Sequence, residues 1–378
     1  MRIAFYAPLK PPSHPVPSGD RRIARELMRA LVLAGHEVVL AARLRSWEGS
    51  GDNGRQRQIE RQGAALARRL IRGYGKRPET RPDLWLTYHL YHKAPDWLGP
   101  AVAQALAIPY VVAEAALAPK QAVGPWAAGH AAARAAVARA DALIQLNGDD
   151  RDGLLEAVRG KERIWPLAPF LETARYARAR CRRGALASRY RLDPGCPWLL
   201  TVAMMREGAK LASYRVLGDA LRYLGDLDWQ LVIVGDGPAR AEVEASLAAL
   251  PGDRVRRLGV LPPRALPALY AAAALYLWPA VHEAFGMAFL EAQAAGLPVV
   301  AGRERGVPEL VRDGESGMLV PPRDGRAFAT AVRMLLEDGP RRAAMSRRAR
   351  EVSAAHDIGP ASVRLDTVLR RVVAEHGR

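Results

Sequence analysis

His282–Val300 reads HEAFGMAFLEAQAAGLPVV. An apolar, alanine-rich run with helix-forming residues starts near Phe285 or Gly286. It stops at Gly296-Leu297-Pro298 and gives way to the β-branched pair Val299-Val300. The stretch therefore predicts a helix feeding a strand, the step from which parallel sheets are built. Working outward, the same step recurs. PWLLTVAMM, WQLVIVGDGP, RVRRLGV and ALYLWPA precede it as strand candidates, and SGMLVPP follows. Nearer the N-terminus, RIAFYAP, HEVVLAARL, DLWLTYH, PYVVAEA and DALIQLN form a second series with helical segments between them. The alternation loosens from Pro166 to Pro197, where prolines and a basic cluster interrupt it. The reading is α/β: two facing Rossmann-like domains with a cleft between them. They cover residues 1–170 and 171–359, and a final helix from about 360 to 378 crosses back onto the first.

Composition sets the outer limits. With 378 residues, 49% of them hydrophobic, the chain can fill two ordinary cores, which excludes global disorder. Cys181 and Cys196 are the only cysteines, so no disulfide framework or thiolate metal site is expected and a reducing compartment fits. No signal peptide is read in MRIAFYAPLK, and Ala265–Val281 is broken by two prolines, so a cytoplasmic chain is expected. The net charge of +17 would attract nucleic acid, anionic lipid or phosphorylated substrates, or reflect an arginine-rich background. Aromatics are 6% and no nucleic-acid module accompanies the arginines, so no nucleic-acid partner is expected.

Seven residues separate Glu283 from Glu291. With the helix starting between them, one carboxylate lies before its first turn and the other inside it, about 10–12 Å apart along the axis. The amides of Gly286, Met287 and Ala288 would be unpaired helix-start donors at the positive end of the dipole, suited to a diphosphate. A carboxylate on each side would accept hydrogen bonds from vicinal hydroxyls, as a nucleotide-sugar presents on its two flanks. Two glutamates at this spacing also occur by chance on an exposed helix, and spacing alone does not separate the readings.

The segment HEAFGMAFLEAQAAGLPVVAGRERGVPELVRDGESGMLVPPRD closely resembles the E-x7-E region of retaining glycosyltransferases of family 4, which have the GT-B fold. The likeness runs through the C-terminal half, from LLTVAMMREGAK to GMLVPPRD, and is fainter in the N-terminal half. It implies transfer of a sugar from a nucleoside-diphosphate sugar to an acceptor hydroxyl, sugar or lipid-linked, with retention of anomeric configuration and no metal. Cell-surface glycan or glycolipid synthesis is the implied setting. Glu283 would contact the donor sugar and Glu291 the ribose, while the backbone at Phe285, Gly286, Met287 and Ala288 would hold sugar and diphosphate. Lys210, with Arg206, would neutralise the leaving diphosphate, although the family's Gly-Arg is replaced by AMM before them. Gly235 and Gly237 of VIVGDGP would lie near the nucleotide.

In the first half, Gly19 of Ser18-Gly19-Asp20 matches a glycine-rich turn facing the donor, without the family's second glycine. His89, His92 and Glu114 close two strands at positions where the family often places a histidine or acid. A GT-B nucleotide-sugar epimerase and a non-catalytic nucleotide-sugar binder remain as alternatives. Asp226-Leu227-Asp228 reads as a turn and not as a metal pair, and neither metal nor cofactor is expected.

Arg43–Arg81 is the most biased segment. Ile59, Leu66, Leu70 and Ile71 share a helix face flanked by arginines. Two readings stay open: a helix lying on the anionic inner face of a membrane, or a solvated surface helix.

Overall fold

The computed structural model describes every residue except Pro17, Asn147, Asp149, Asp150, Arg159, Phe285 and Arg378. The chain divides into two units, Met1–Pro169 with Ile358–Arg378, and Phe170–Asp357.

Unit 1 is built on a six-stranded sheet of β1 (Arg2–Tyr6), β2 (Glu37–Leu40), β3 (Leu84–Leu90), β4 (Tyr110–Ala115), β5 (Ala142–Gln145) and β6 (Ile164–Pro166). The order is β2-β1-β3-β4-β5-β6 and every pair is parallel. Successive side chains of β4 and β5 are all buried, as happens only in a sheet covered on both faces. Chain order reverses between β1 and β3, which makes their C-terminal ends the switch point where α/β folds place ligands. The helix Gly19–Leu33 leaves β1 with Ser18 as its N-cap, whose hydroxyl accepts from the Arg21 amide at 3.2 Å.

The last helix, Ile358–Glu375, packs on Gly19–Leu33 and so belongs to unit 1. His36 Nε2 lies 3.0 Å from Asp366 Oδ1, and the Arg371 guanidinium sits 5.2 Å from the Trp165 ring centroid.

Unit 2 carries β7 (Trp198–Val202), β8 (Gln230–Val234), β9 (Val255–Arg257), β10 (Leu275–Trp278), β11 (Val299–Gly302) and β12 (Gly317–Val320). Its order, β12-β11-β10-β7-β8-β9, is all parallel and is that of dinucleotide-binding domains, with the switch point between β7 and β10. Asp226, read as part of a turn, is clamped by two Arg333 nitrogens at 2.7 and 2.6 Å, which draws its pKa down to about 2.

The basic segment forms the helix Asn53–Lys76. Its apolar stripe is not free for lipid. Gly63 and Ala67 are buried, and Leu66, Leu70, Ile71 and Tyr74 pack against the core of unit 1. The face this helix exposes carries Arg57, Arg61, Arg68, Arg69 and Arg72, with Glu60 among them. No helix among the described residues is long and apolar enough to cross a membrane.

Candidate functional site

The loops that leave β7 and β10 meet at the switch point of unit 2. Lys210 stands one residue inside the helix Ala209–Arg222 that follows β7, and Glu283 lies in the loop after β10. The Lys210 ammonium donates to Glu283 Oε2, and the Trp278 indole Nε1 donates to the same oxygen at 3.1 Å. The ammonium also lies 5.2 Å from the Trp278 ring centroid, within cation–π range. Trp278 is held edge-on by Tyr214, with ring centroids 5.1 Å apart. Both donors converge on Oε2. Among the described residues nothing is bonded to Oε1, so that oxygen can accept from a ligand hydroxyl.

The loop reaches this position through an unfavourable backbone. Ala280 and His282 have φ of 61° and 52°, left-handed values that cost non-glycine residues about 1–3 kcal/mol each. Surrounding bonds hold them there. The Val281 amide donates to Ser213 Oγ at 3.0 Å, which ties this loop to the helix carrying Lys210. Arg323 donates to His282 Nε2 at 2.7 Å.

Gly286, with φ 69°, turns the chain into the helix Met287–Ala294. A Cβ on it would stand 2.5 Å from the Phe289 ring, so both backbone and space demand glycine. Gly286 and Ala288 are half-buried and Met287 is buried. Phe285 lies outside the described residues. Glu291 is in the helix's second turn, buried at 4% exposure and engaged within the protein. Arg206 is exposed and among the described residues forms no ion pair, so the structure does not bring it to Glu283. Gly235 and Gly237 have a local reason to be glycine. A Cβ on either would lie 1.8 and 2.1 Å from the carbonyls of Ala203 and Met205, so the β8 loop can press against the β7 loop.

Unit 1 repeats the arrangement at its own switch point. Asp20, in the first turn of the helix after β1, lies with Oδ1 3.2 Å from Nδ1 of His89 in β3. Burial opposes ionisation of Asp20, but the His89 imidazole, the residue's own amide and Lys10 more than offset it, and the carboxyl titrates below its ordinary value. Tyr88 is pushed well above its ordinary value by burial and by the carboxylates of Asp20 and Glu114. The register of β3 and β4 sets Glu114 opposite His89, between the pairs Tyr88–Ala113 and Leu90–Ala115. Gly19 opens the helix and a Cβ there would meet nothing within 4 Å, which leaves space before the helix start. His92 stands apart, its ring edge-on to Trp126 at 5.9 Å.

Two partners escaped sequence reasoning. Trp278 ends β10 five residues before Glu283, and an indole at a strand end is easily taken for core. Asp20 was visible only as part of a turn. Nothing local announced that it reaches a strand some seventy residues on.

Residues 204–352 match the family model described as Glycosyl transferases group 1. The chain is 31% identical over 255 residues to the alpha-D-kanosaminyltransferase of Streptomyces kanamyceticus, covering 66% of this chain and 64% of that protein. It is 36% identical over 160 residues to the D-inositol 3-phosphate glycosyltransferase of Corynebacterium diphtheriae, covering 41% and 37%. The matched stretches thus span less than two thirds of these relatives. Among solved structures, the sucrose-phosphate synthase of Thermosynechococcus elongatus superposes with a TM-score of 0.76 at 19% identity, covering 99% of both chains. Anabaena HepE in complex with UDP-glucose gives 0.74 at 18% identity, covering 98% of this chain and 100% of that one. With its two six-stranded parallel sheets, the chain has the GT-B fold.

Proposed function

We propose that the protein is a retaining glycosyltransferase of family 4, moving a sugar from a nucleoside-diphosphate sugar to an acceptor hydroxyl. The observation that carries this is the convergence of Lys210 and Trp278 on one oxygen of Glu283, at the switch point of unit 2 and just ahead of a helix start. The match to glycosyl transferases group 1 over the same residues supports it, as does a UDP-glucose complex among proteins of this fold. In this reading Glu283 accepts from donor hydroxyls through Oε1. The diphosphate rests on the backbone from Phe285 to Ala288, and Glu291 serves the ribose. Lys210, joined by Arg206 from its exposed position, offsets charge on the departing diphosphate, as a metal ion would elsewhere. Gly235 and Gly237 shape the wall beside the nucleotide. The acceptor hydroxyl attacks from the face the diphosphate leaves and gives its proton to a phosphate oxygen, with Gly19, His89 and Glu114 on the acceptor side.

The test is donor binding followed by product analysis. Thermal shift against UDP-, GDP- and ADP-sugars identifies the base, since a ligand at 100 times its Kd stabilises by about 2.7 kcal/mol. NMR of the glycoside then reads the anomeric configuration. Absence of any donor-dependent shift, or an inverted product, defeats the proposal.

The same reading places the chain in the cytoplasm, resting on the anionic inner leaflet. What supports this is the outward face of Asn53–Lys76, with five arginines between Arg57 and Arg72. Such contact is electrostatic and falls with salt. Flotation with anionic vesicles at low salt, lost at high salt and with Arg61→Glu/Arg68→Glu/Arg69→Glu, is the expected result.

A further inference from the structure

His89 is the penultimate residue of β3, and Asp20 is the second residue of the helix Gly19–Leu33. Strand and helix meet where chain order reverses in unit 1, and Asp20 Oδ1 lies 3.2 Å from His89 Nδ1 there. The imidazole also packs against two tyrosines. Tyr88 is T-shaped to it with ring centroids 5.7 Å apart, and Tyr91 is tilted against it at 5.5 Å. Nδ1 is buried, yet the His89 side chain keeps 23% of its surface exposed. The exposed part of the ring is therefore made of its other atoms, while Nδ1 is turned inward to Asp20. The backbone that puts it there is left-handed, a conformation that persists in a non-glycine residue only where surrounding contacts hold it.

Chemistry places the proton between them. Two acceptor atoms at 3.2 Å repel, so the contact requires a hydrogen on either the carboxyl or Nδ1. The carboxyl is the poorer home. Asp20 sits in the first turn of a helix, where the positive end of the dipole favours a carboxylate. Burial works against its ionisation, yet the His89 imidazole and Lys10 outweigh it, and Asp20 titrates below its ordinary value. The hydrogen therefore belongs on Nδ1. In a neutral imidazole that puts the lone pair on Nε2. An acid in the first turn of a helix also has a plain structural use, which is to complement the dipole. That use needs no partner on another strand, and it is indifferent to which tautomer His89 adopts.

We propose that Asp20 is a positioning residue for His89: it fixes the proton on Nδ1 and so presents Nε2 as the acceptor for a substrate hydroxyl. The substrate's identity as a sugar donor or its acceptor rests on the glycosyltransferase reading; the tautomer itself does not. Asp20 acts through the imidazole and not on the substrate, and its contribution is lost when the ring is free to exchange its two forms.

Long-range proton–nitrogen NMR of the histidine rings reads the tautomer directly, on the full chain and without any ligand. The His89 signals are assigned from their loss in His89→Gln. In the neutral ring, His89 is expected in the Nδ1–H form. Asp20→Asn is expected to give a mixture or the Nε2–H form, since an asparagine amide donates to Nδ1 as readily as it accepts from it. Asp20→Glu keeps the charge and is expected to keep the parent tautomer. A parent chain with His89 in the Nε2–H form overturns the proposal, whether or not any variant folds. So does an Asp20→Asn tautomer identical to the parent's. The second arm measures nucleoside-diphosphate release from UDP-, GDP- and ADP-glucose, with water alone and with methyl glucoside. Asp20→Asn is expected to slow release by about ten- to a hundredfold, as for loss of a hydrogen bond to a charged group, and Asp20→Glu to recover most of it. A loss with water alone assigns the hydroxyl to the donor sugar, and a loss only with methyl glucoside assigns it to the acceptor; either supports the role. Equal release by the parent and Asp20→Asn overturns it. Donor thermal shift on the same samples separates the two readings. Donor binding and release by a parent chain in the Nε2–H form sinks only the positioning role. An Asp20-dependent Nδ1–H form in a chain that neither binds nor cleaves these donors sinks only the proposed function.

Discussion

His89 and Glu114 face each other across β3 and β4, between the paired residues Tyr88–Ala113 and Leu90–Ala115, and both are left-handed, with φ of 59° and 58°. Two adjacent strands thus break their extended backbone at the same level, next to Asp20. Neither residue is glycine, so each position carries strain of about 1–3 kcal/mol that the fold maintains for the side chain it displays. Glu114→Gly is expected to raise the melting temperature while lowering turnover at least tenfold, a trade expected of a functional position. Calorimetry and initial rates on one preparation check it. A glycine variant that is both less stable and fully active removes the functional reading of this pair.

Glu283 depends on its two donors to unequal degrees. Lys210→Ala removes a charge as well as a bond and is expected to lower kcat by about two to three orders of magnitude, as loss of an electrostatic transition-state contact does. Trp278→Phe keeps the ring against Tyr214 and removes only the indole N–H, for a loss of about tenfold. Glu283→Gln is expected to match Lys210→Ala. Steady-state kinetics with saturating donor give the ranking, and a Trp278→Phe enzyme slower than Lys210→Ala reverses it.

Acid should loosen the turn held by Glu48, whose carboxylate accepts from the Ser50 and Gly51 amides at 2.6 and 2.7 Å. Burial opposes its ionisation, but those bonds outweigh it. Its folded pKa, about 2, lies below the ordinary 4.5. The carboxylate therefore contributes its stability in full above pH 4.5 and loses it as pH falls toward 2. Glu48→Gln is expected to be less stable than the parent at neutral pH, with the gap closing through that window. Urea midpoints measured across the acid range test this; a gap that widens on acidification contradicts it.

Gly235→Ala is expected to destabilise unit 2 by several kcal/mol, because its Cβ would collide with the Ala203 carbonyl at 1.8 Å and backbone cannot yield as a side chain can. The same change at Gly19, where nothing lies within 4 Å, should leave stability within about 0.5 kcal/mol. Paired denaturation curves distinguish them.

Much of this architecture could be read from the chain. Strands buried on both faces are continuous apolar runs, and the β-branched LVIV and YVVA are of that kind, so the parallel α/β character was legible in β8 and β4. E-x7-E with its intervening glycine located the helix start to within two residues, because Gly286 must be left-handed there. Pairings between remote elements were hidden. Trp278 with Glu283 and Asp20 with His89 arise from strand order, which a linear pattern does not encode. The Asn53–Lys76 helix shows the opposite limit. Its period was legible, but a moment fixes only which residues share a side, and the side holding Leu66 and Leu70 faces the protein's own core.

Unit 2 is inserted into unit 1, since Phe170–Asp357 is continuous while unit 1 needs both Met1–Pro169 and the helix beginning at Ile358. During synthesis the insert can finish folding once it clears the ribosome. Its host must wait with the part of Gly19–Leu33 that packs on Ile358–Glu375 uncovered until that last helix emerges. At about 5–20 residues per second, the 188 intervening residues impose roughly ten to forty seconds of exposure on the nascent chain. The N-terminal part of unit 1 is therefore the stretch with an uncovered apolar face during synthesis, for a time that lengthens as translation slows.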